Sequence, residues 1–107
     1  MTDDDIRDLF SDLGTVAIKR MFGGKGIYFD GVIIALELDG EILLKADKVT
    51  APAFEAAGAK QWIYRGHQNR KPTIMPYWTI PESAVDDPDE MAVWARKAYD
   101  AGKRTAK

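Results

Sequence analysis

The stretch "KRMFGGKGIYFDG", residues 19–31, sets Lys25 among Gly23, Gly24 and Gly26, a combination that could cradle a phosphate. A phosphate loop of that kind needs G-x-x-x-x-G-K-[ST], with a hydroxyl after the lysine for magnesium and a helix opening at once so that its amides face the anion. Here Gly26 follows Lys25, and an apolar β-rich run, Ile27-Tyr28-Phe29, follows that. The dinucleotide pattern G-x-G-x-x-G fails as well, because no helix opens after the glycines. The spacing predicts a glycine-permitted turn or bulge between strands.

A second group joins aromatic rings to cations. Trp62, Tyr64, Arg65, His67, Arg70 and Lys71 lead on to Tyr77 and Trp78. Rings of this kind stack on unpaired bases while cations hold phosphates, so a nucleic-acid surface on the 62–78 hairpin is one reading. The plainer reading, and the favoured one, is a hairpin tip with solvated charges over core aromatics. Strand alternation puts Ile74, Pro76, Trp78 and Ile80 on one face and Met75, Tyr77 and Thr79 on the other. With the first face in the core, Tyr77 and Met75 are expected at the surface, where a large aromatic marks a partner contact. Arg65, His67, Arg70, Lys71 and Tyr77 are therefore the candidate interaction surface.

Groups for covalent or acid–base chemistry are few. There is no cysteine, one histidine (His67, in a polar loop), and serine only at Ser11 and Ser83, each at a helix or helix-start position. Triads assemble in space rather than in sequence, so spacing alone neither makes nor forbids one. A cleft around His67 is the only opening for a small-molecule or enzymatic function. Asp3, Asp4 and Asp5 lack the spaced oxygen ligands of a calcium loop and read as the acidic first turn of a helix. No catalytic residue, cofactor or metal is expected.

Those residues must be positioned by a short list of elements. Thr2 with Asp5 makes a capping pair, and Ile6, Leu9, Phe10 and Leu13 recur at helical spacing until Gly14, giving a helix over about 3–13. Val16–Phe22 reads as a strand ending in two glycines. Gly26–Phe29, Val32–Leu38 and Glu41–Ala46 are separated by Asp30-Gly31 and Asp39-Gly40, the strongest short-range hairpin signal, so the region reads as an antiparallel meander. Thr50, then Pro52, opens a short helix to Gly58. Trp62–Tyr64 and Thr73–Ile80 pair across a polar loop; Pro76 cannot donate to a ladder, which places the second strand at an edge or at a bulge. Pro81 and Glu82 begin a short helical turn. Asp86–Glu90 caps a final helix whose Met91, Trp94, Ala95, Ala98 and Gly102 share one face, with Tyr99 at its border. The order is α-β-β-β-α-β-β-α, with an extra strand where the first run splits at the glycines.

Composition limits what this fold can serve. The 107 residues suffice for one domain with a core of its own, and the lack of cysteine points to a reducing compartment, expected to be the cytoplasm. No apolar run approaches the ~18–20 residues that span a bilayer, and the N-terminus is acidic rather than leader-like. Net charge is −2, unevenly spread: residues 1–58 carry six Lys/Arg against eleven Asp/Glu, and residues 59–107 nine against six. A basic patch is allowed in the second half, without the overall basic excess of a dedicated DNA-binding domain.

The ordered set "RMFGGKGIYFDGVIIAL" (20–36), "LLKAD" (43–47), "FEAAGA" (54–59), "MPYWTIPE" (75–82) and "WARKA" (94–98) resembles the N-terminal domain of the TfoX/Sxy family, bacterial regulators of natural competence. The resemblance runs from about residue 5 to 100. It implies an α+β, two-layer fold with a curved antiparallel sheet and helices in the order α-β(3)-α-β(2)-α, similar to secretion chaperones. It also implies a regulatory role without catalytic residues: full-length members are thought to assist a cyclic-AMP receptor protein at competence promoters. At this length the chain reads as a stand-alone copy of that domain, 1–107, without the helical C-terminal domain of the longer regulators. A protein partner, such as a transcription regulator, is expected first, with direct nucleic-acid contact as the alternative. A homodimer through the proline-bearing strand or exposed aromatics is also open.

Overall fold

The computed structural model describes residues 1–21, 23–65 and 71–106. Helix α1 (Asp3–Leu9) is followed by strands β1 (Ala17–Met21), β2 (Gly24–Phe29), β3 (Val32–Leu38) and β4 (Glu41–Lys45). Helix α2 (Ala51–Ala56), strands β5 (Gln61–Tyr64) and β6 (Thr73–Thr79), a single 3₁₀ turn (Glu82–Ala84) and helix α3 (Pro88–Thr105) complete the chain. The α+β class holds, with a six-stranded antiparallel sheet in the order β1-β2-β3-β4-β6-β5 and three helices. Four strands precede α2 where the order α-β(3)-α-β(2)-α has three. The addition is the split at the glycines, since Gly23 turns with φ +77° and Met21 then pairs with Gly24.

Local chemistry explains the element ends. The Thr2 hydroxyl accepts from the Asp5 N–H at 3.1 Å and the Asp5 carboxylate accepts from the Thr2 N–H at 3.1 Å, a complete capping box. Both Asp-Gly pairs turn with positive φ at each residue, +53° and +82° at 30–31 and +51° and +83° at 39–40, as type I′ hairpins require. Asp87 Oδ1 accepts from the N–H groups of Asp89 and Glu90, and Pro88 occupies the first turn of α3, where no donor is missed.

All three helices lie on one face of the sheet. Ile6 and Phe10 from the α1 end, Phe54 from α2, and Met91, Trp94, Ala95, Ala98 and Tyr99 from α3 join Ile27, Ile34, Ala35, Ile42, Leu44 and Trp78 in one buried cluster. A bulge between β2 and β3 helps fill it: Ile27 pairs with Ala35 but Tyr28 with Ile33, so the extra residue Ile34 and its neighbour Ala35 both reach the helix layer. Phe54 stacks between Trp78 (centroids 6.1 Å) and Trp94 (4.7 Å). Glycine at 102 lets α3 ride close to β3, where a Cβ would stand 2.7 Å from the Ile33 carbonyl oxygen.

Polar ties fix the helices to that face. Asp47, just after β4, accepts at Oδ1 from the N–H groups of Val49 and Thr50, both at 3.1 Å, and takes a two-pronged pair from Arg104 of α3 (Nε to Oδ2 2.5 Å, a second guanidinium nitrogen to Oδ1 3.1 Å). The Arg104 hydrogen bond, against the opposing cost of burial, holds its carboxyl well below the usual carboxylate range. Tyr99 Oη donates to Asp30 Oδ2 at 2.8 Å, which joins α3 to the first Asp-Gly turn and pushes the phenol up.

Candidate functional site: an uncovered sheet face

Beneath the helix-covered face lies a second apolar cluster built from strands alone. Leu36, Leu43 and Tyr77 are buried in it, with Met21, Ile33, Leu38, Trp62 and Met75 packed around them. Among the described residues no helix contributes to this cluster. Rings and lysine stems do the covering instead. Trp62 meets Tyr77 edge-on at 6.4 Å and Tyr64 at 5.9 Å, Lys45 Nζ stands 5.1 Å over the Tyr77 ring, and Lys19 Nζ stands 4.8 Å over Tyr28. Burial pulls the Lys45 ammonium below its ordinary range and pushes the Tyr77 phenol up.

This face opens into a groove of about 1000 Å³. Leu38, Leu43 and Met75 supply its apolar lining, Trp62 and Tyr64 its aromatic side, and Asp39 and Glu41 from the β3–β4 turn its acidic lip. Tyr64 is half exposed. The strand register accounts for the assembly: Leu38 pairs with Glu41 and Leu36 with Leu43, and β4 continues into β6 through Lys45 opposite Tyr77. Residues of one parity on β3, β4 and β6 therefore share the face.

The expected contact surface is divided by this arrangement. Tyr77 lies on the face opposite Trp78, as alternation requires, but it is buried (6% exposed) under Trp62, Met75 and the Lys45 stem. Met75 is only partly exposed. Arg65 and Lys71 are exposed just beyond the Tyr64–Thr73 pair, at the hairpin end, about 13 Å of strand away from Tyr77. His67 and Arg70 lie outside the described residues, and with them the cleft considered around His67. Among the described residues the exposed aromatic is Tyr64, not Tyr77.

Pro76 is accommodated by a bulge rather than an edge. β6 lies inside the sheet, between β4 and β5, so the homodimer through a proline-bearing edge strand is closed; the free edges are β1 and β5. Gln61 pairs with Trp78 and Ile63 with Ile74, so β6 takes four steps where β5 takes two. The Pro76 carbonyl accepts from Ala46 N–H, and at the bulge Gln61 Nε2 donates to the Met75 carbonyl at 3.0 Å, giving that acceptor a partner on the β5 side.

The glycine-lysine motif proves to be structural. Gly24 and Gly26 lie within β2, and Lys25 Nζ donates to Asp3 Oδ1 at 2.7 Å, tying α1 to the sheet and lowering the Asp3 carboxyl. At Gly26 a Cβ would stand 2.5 Å from Met21 Sδ and 3.1 Å from the Tyr28 ring, so this glycine lets both side chains lie across the uncovered face. The three N-terminal aspartates serve the capping box and the Lys25 and Arg7 pairs. Among the described residues no group of three or more His, Asp or Glu could hold a metal ion, and no helix is long and apolar enough to cross a membrane.

Sequence reasoning missed the groove because it sought one core. The signal was present in β3 and β4, where apolar residues occupy both parities: Val32-Ile33-Ile34-Ala35-Leu36 and Ile42-Leu43-Leu44. Such continuous runs belong to strands covered on both faces. With one face already under helices, the run demands cover on the other.

The sequence profile of the TfoX N-terminal domain matches residues 8–102, nearly the whole chain. The chain belongs to this family. The match takes in the six strands, α2, the 3₁₀ turn and most of α3, so the helix-covered core and the uncovered groove are both parts of a TfoX N-terminal domain. A search of curated proteins finds no match.

Proposed function

We propose that this TfoX N-terminal domain is a non-enzymatic regulatory module that acts by protein–protein contact through the uncovered face of its sheet. The observation that carries the reading is the groove itself, an aromatic and apolar concavity on a face that no described helix covers. Several of the described groups that could do chemistry are engaged in structure: Ser83 Oγ donates to Glu90, Lys25 to Asp3, and Asp47 holds Arg104. The family resemblance supports a role in transcription regulation of the competence type, in which the partner is itself a regulator.

A photo-crosslinking side chain at Tyr64 tests the reading, with Val93, exposed on α3, as the control position. Expected is a discrete protein adduct from position 64 that Trp62→Ala removes, and none from position 93. Identical adducts from both positions, or none from 64, count against it.

Direct binding of single-stranded nucleic acid is the second reading, favoured by exposed Tyr64 beside Arg65 and Lys71. Asp39 and Glu41 on the same groove repel phosphate, which is why it ranks second. It requires oligonucleotide affinity that falls with salt and with loss of Arg65 and Lys71. Equal affinity after R65A/K71A would remove it.

A further inference from the structure

Resting on that reading, we infer that the groove takes a short amphipathic segment of a protein partner, one whose two or three apolar side chains are accompanied by lysine or arginine. The commitment to a cationic segment comes from charge. Asp39 and Glu41 are both exposed at the lip, and among the described residues neither enters an ion pair. No lysine or arginine is among the described residues that line the groove, since Lys19 and Lys45 of the same face stand over Tyr28 and Tyr77 instead. Asp39 and Glu41 line the same groove as the Trp62 and Tyr64 rings, so a segment lying along it gains Coulomb attraction at the carboxylates and from the π faces at the rings, although Arg20 and Lys25 border Asp39 on its other side.

The apolar part follows from the lining. Leu38, Leu43 and Met75 offer hydrocarbon that a fully charged ligand would leave unsatisfied, and methionine adapts its shape to differing side chains. A volume of about 1000 Å³ reaches the upper end of small-ligand pockets, so it holds several side chains rather than one.

The test uses the whole chain and three fluorescent 12-residue peptides with one leucine pattern, their remaining positions filled with lysine, glutamine or glutamate. Anisotropy titration is expected to rank lysine over glutamine over glutamate, with about tenfold between the extremes, and added salt weakens the lysine peptide. Asp39→Asn with Glu41→Gln is expected to cut the lysine-peptide affinity about five- to tenfold at unchanged Tm; asparagine tolerates the positive φ of position 39. Trp62→Leu is expected to weaken all three peptides.

Equal binding of the three peptides, still lost in Trp62→Leu, overturns the cationic partner and leaves protein contact at this face standing. No binding by any of them, together with no adduct from position 64, overturns both. Self-association that Trp62→Leu abolishes makes the occupant a second copy and overturns the inference, as does tight single-stranded oligonucleotide binding that competes with the lysine peptide.

Discussion

The two faces of the sheet are made from the same strands and meet different needs. On the helix-covered face, Ile27, Leu44 and Phe54 are fully buried, with Phe54 stacked on Trp78 and tilted against Trp94. On the other, Leu36, Leu43 and Tyr77 are buried and the apolar side chains packed around them are half covered by one another's rings and by lysine stems. The first face holds the larger buried core, and the second leaves apolar surface only partly covered. The difference teaches that burial of a residue such as Tyr77 does not by itself assign its face to the core.

Substitutions that separate the faces sharpen this contrast. The largest effect is expected at Phe54, which is completely buried between Trp78 and Trp94: Phe54→Ala costs about 3–5 kcal/mol, read as a lowered urea midpoint. A loss below 1 kcal/mol would show that α2 contributes little to the core.

Next comes the Asp47 tie, with a pH signature. Its carboxyl is depressed by the Arg104 hydrogen bond, so protonation is harder in the folded chain than in the unfolded one, whose ordinary value is 3.8. The stabilisation is fully present above that value and is lost as pH falls below it toward the folded-state value. Asp47→Ala is expected to cost about 2 kcal/mol near neutrality and to flatten the fall in urea midpoint below about pH 4. An unchanged acid profile in the variant would assign acid unfolding to other carboxylates.

Two glycines give a matched pair across the faces. Gly102→Ala places a Cβ against the backbone carbonyl of Ile33, which cannot yield without lifting α3, and is expected to cost about 1–3 kcal/mol although alanine is the better helix former. Gly26→Ala meets the flexible end of Met21 and the Tyr28 ring, and is expected to cost under about 1 kcal/mol. Reversal of that order in thermal melts would mean that the uncovered face is the tighter one.

The smallest stability effect is expected at Tyr64, half exposed at the groove: Tyr64→Ser shifts stability by no more than about 0.5 kcal/mol while removing the contact readout at this face. A loss of several degrees in Tm would instead make Tyr64 part of the fold's support.

Much of the architecture was legible in short-range chemistry. The Thr2–Asp5 box, the two Asp-Gly hairpins and the Asp87-Pro88 start of α3 are decided within four residues, so the sequence displays them directly. The buried face of α3 followed from its period, including Tyr99 at the border. The candidate site was less legible. Arg65 and Lys71 stand exposed at the hairpin end, while Tyr77 was expected outside because alternation names the face without saying what lies over it.

What the sequence determined by itself is therefore local: helix caps, turn types, the alternation of each strand and the family signature spread along them. Positive φ, missing donors and side-chain parity act between near neighbours, and no partner strand is needed to read them. Tertiary structure alone decided that β6 sits inside the sheet with Pro76 at a bulge, that Lys25 is bound to Asp3, and that Trp62 closes over Tyr77 while Asp39, Glu41 and Tyr64 line one groove. Those facts depend on which strands pair and in what register, and pairing is settled by the burial of both faces together.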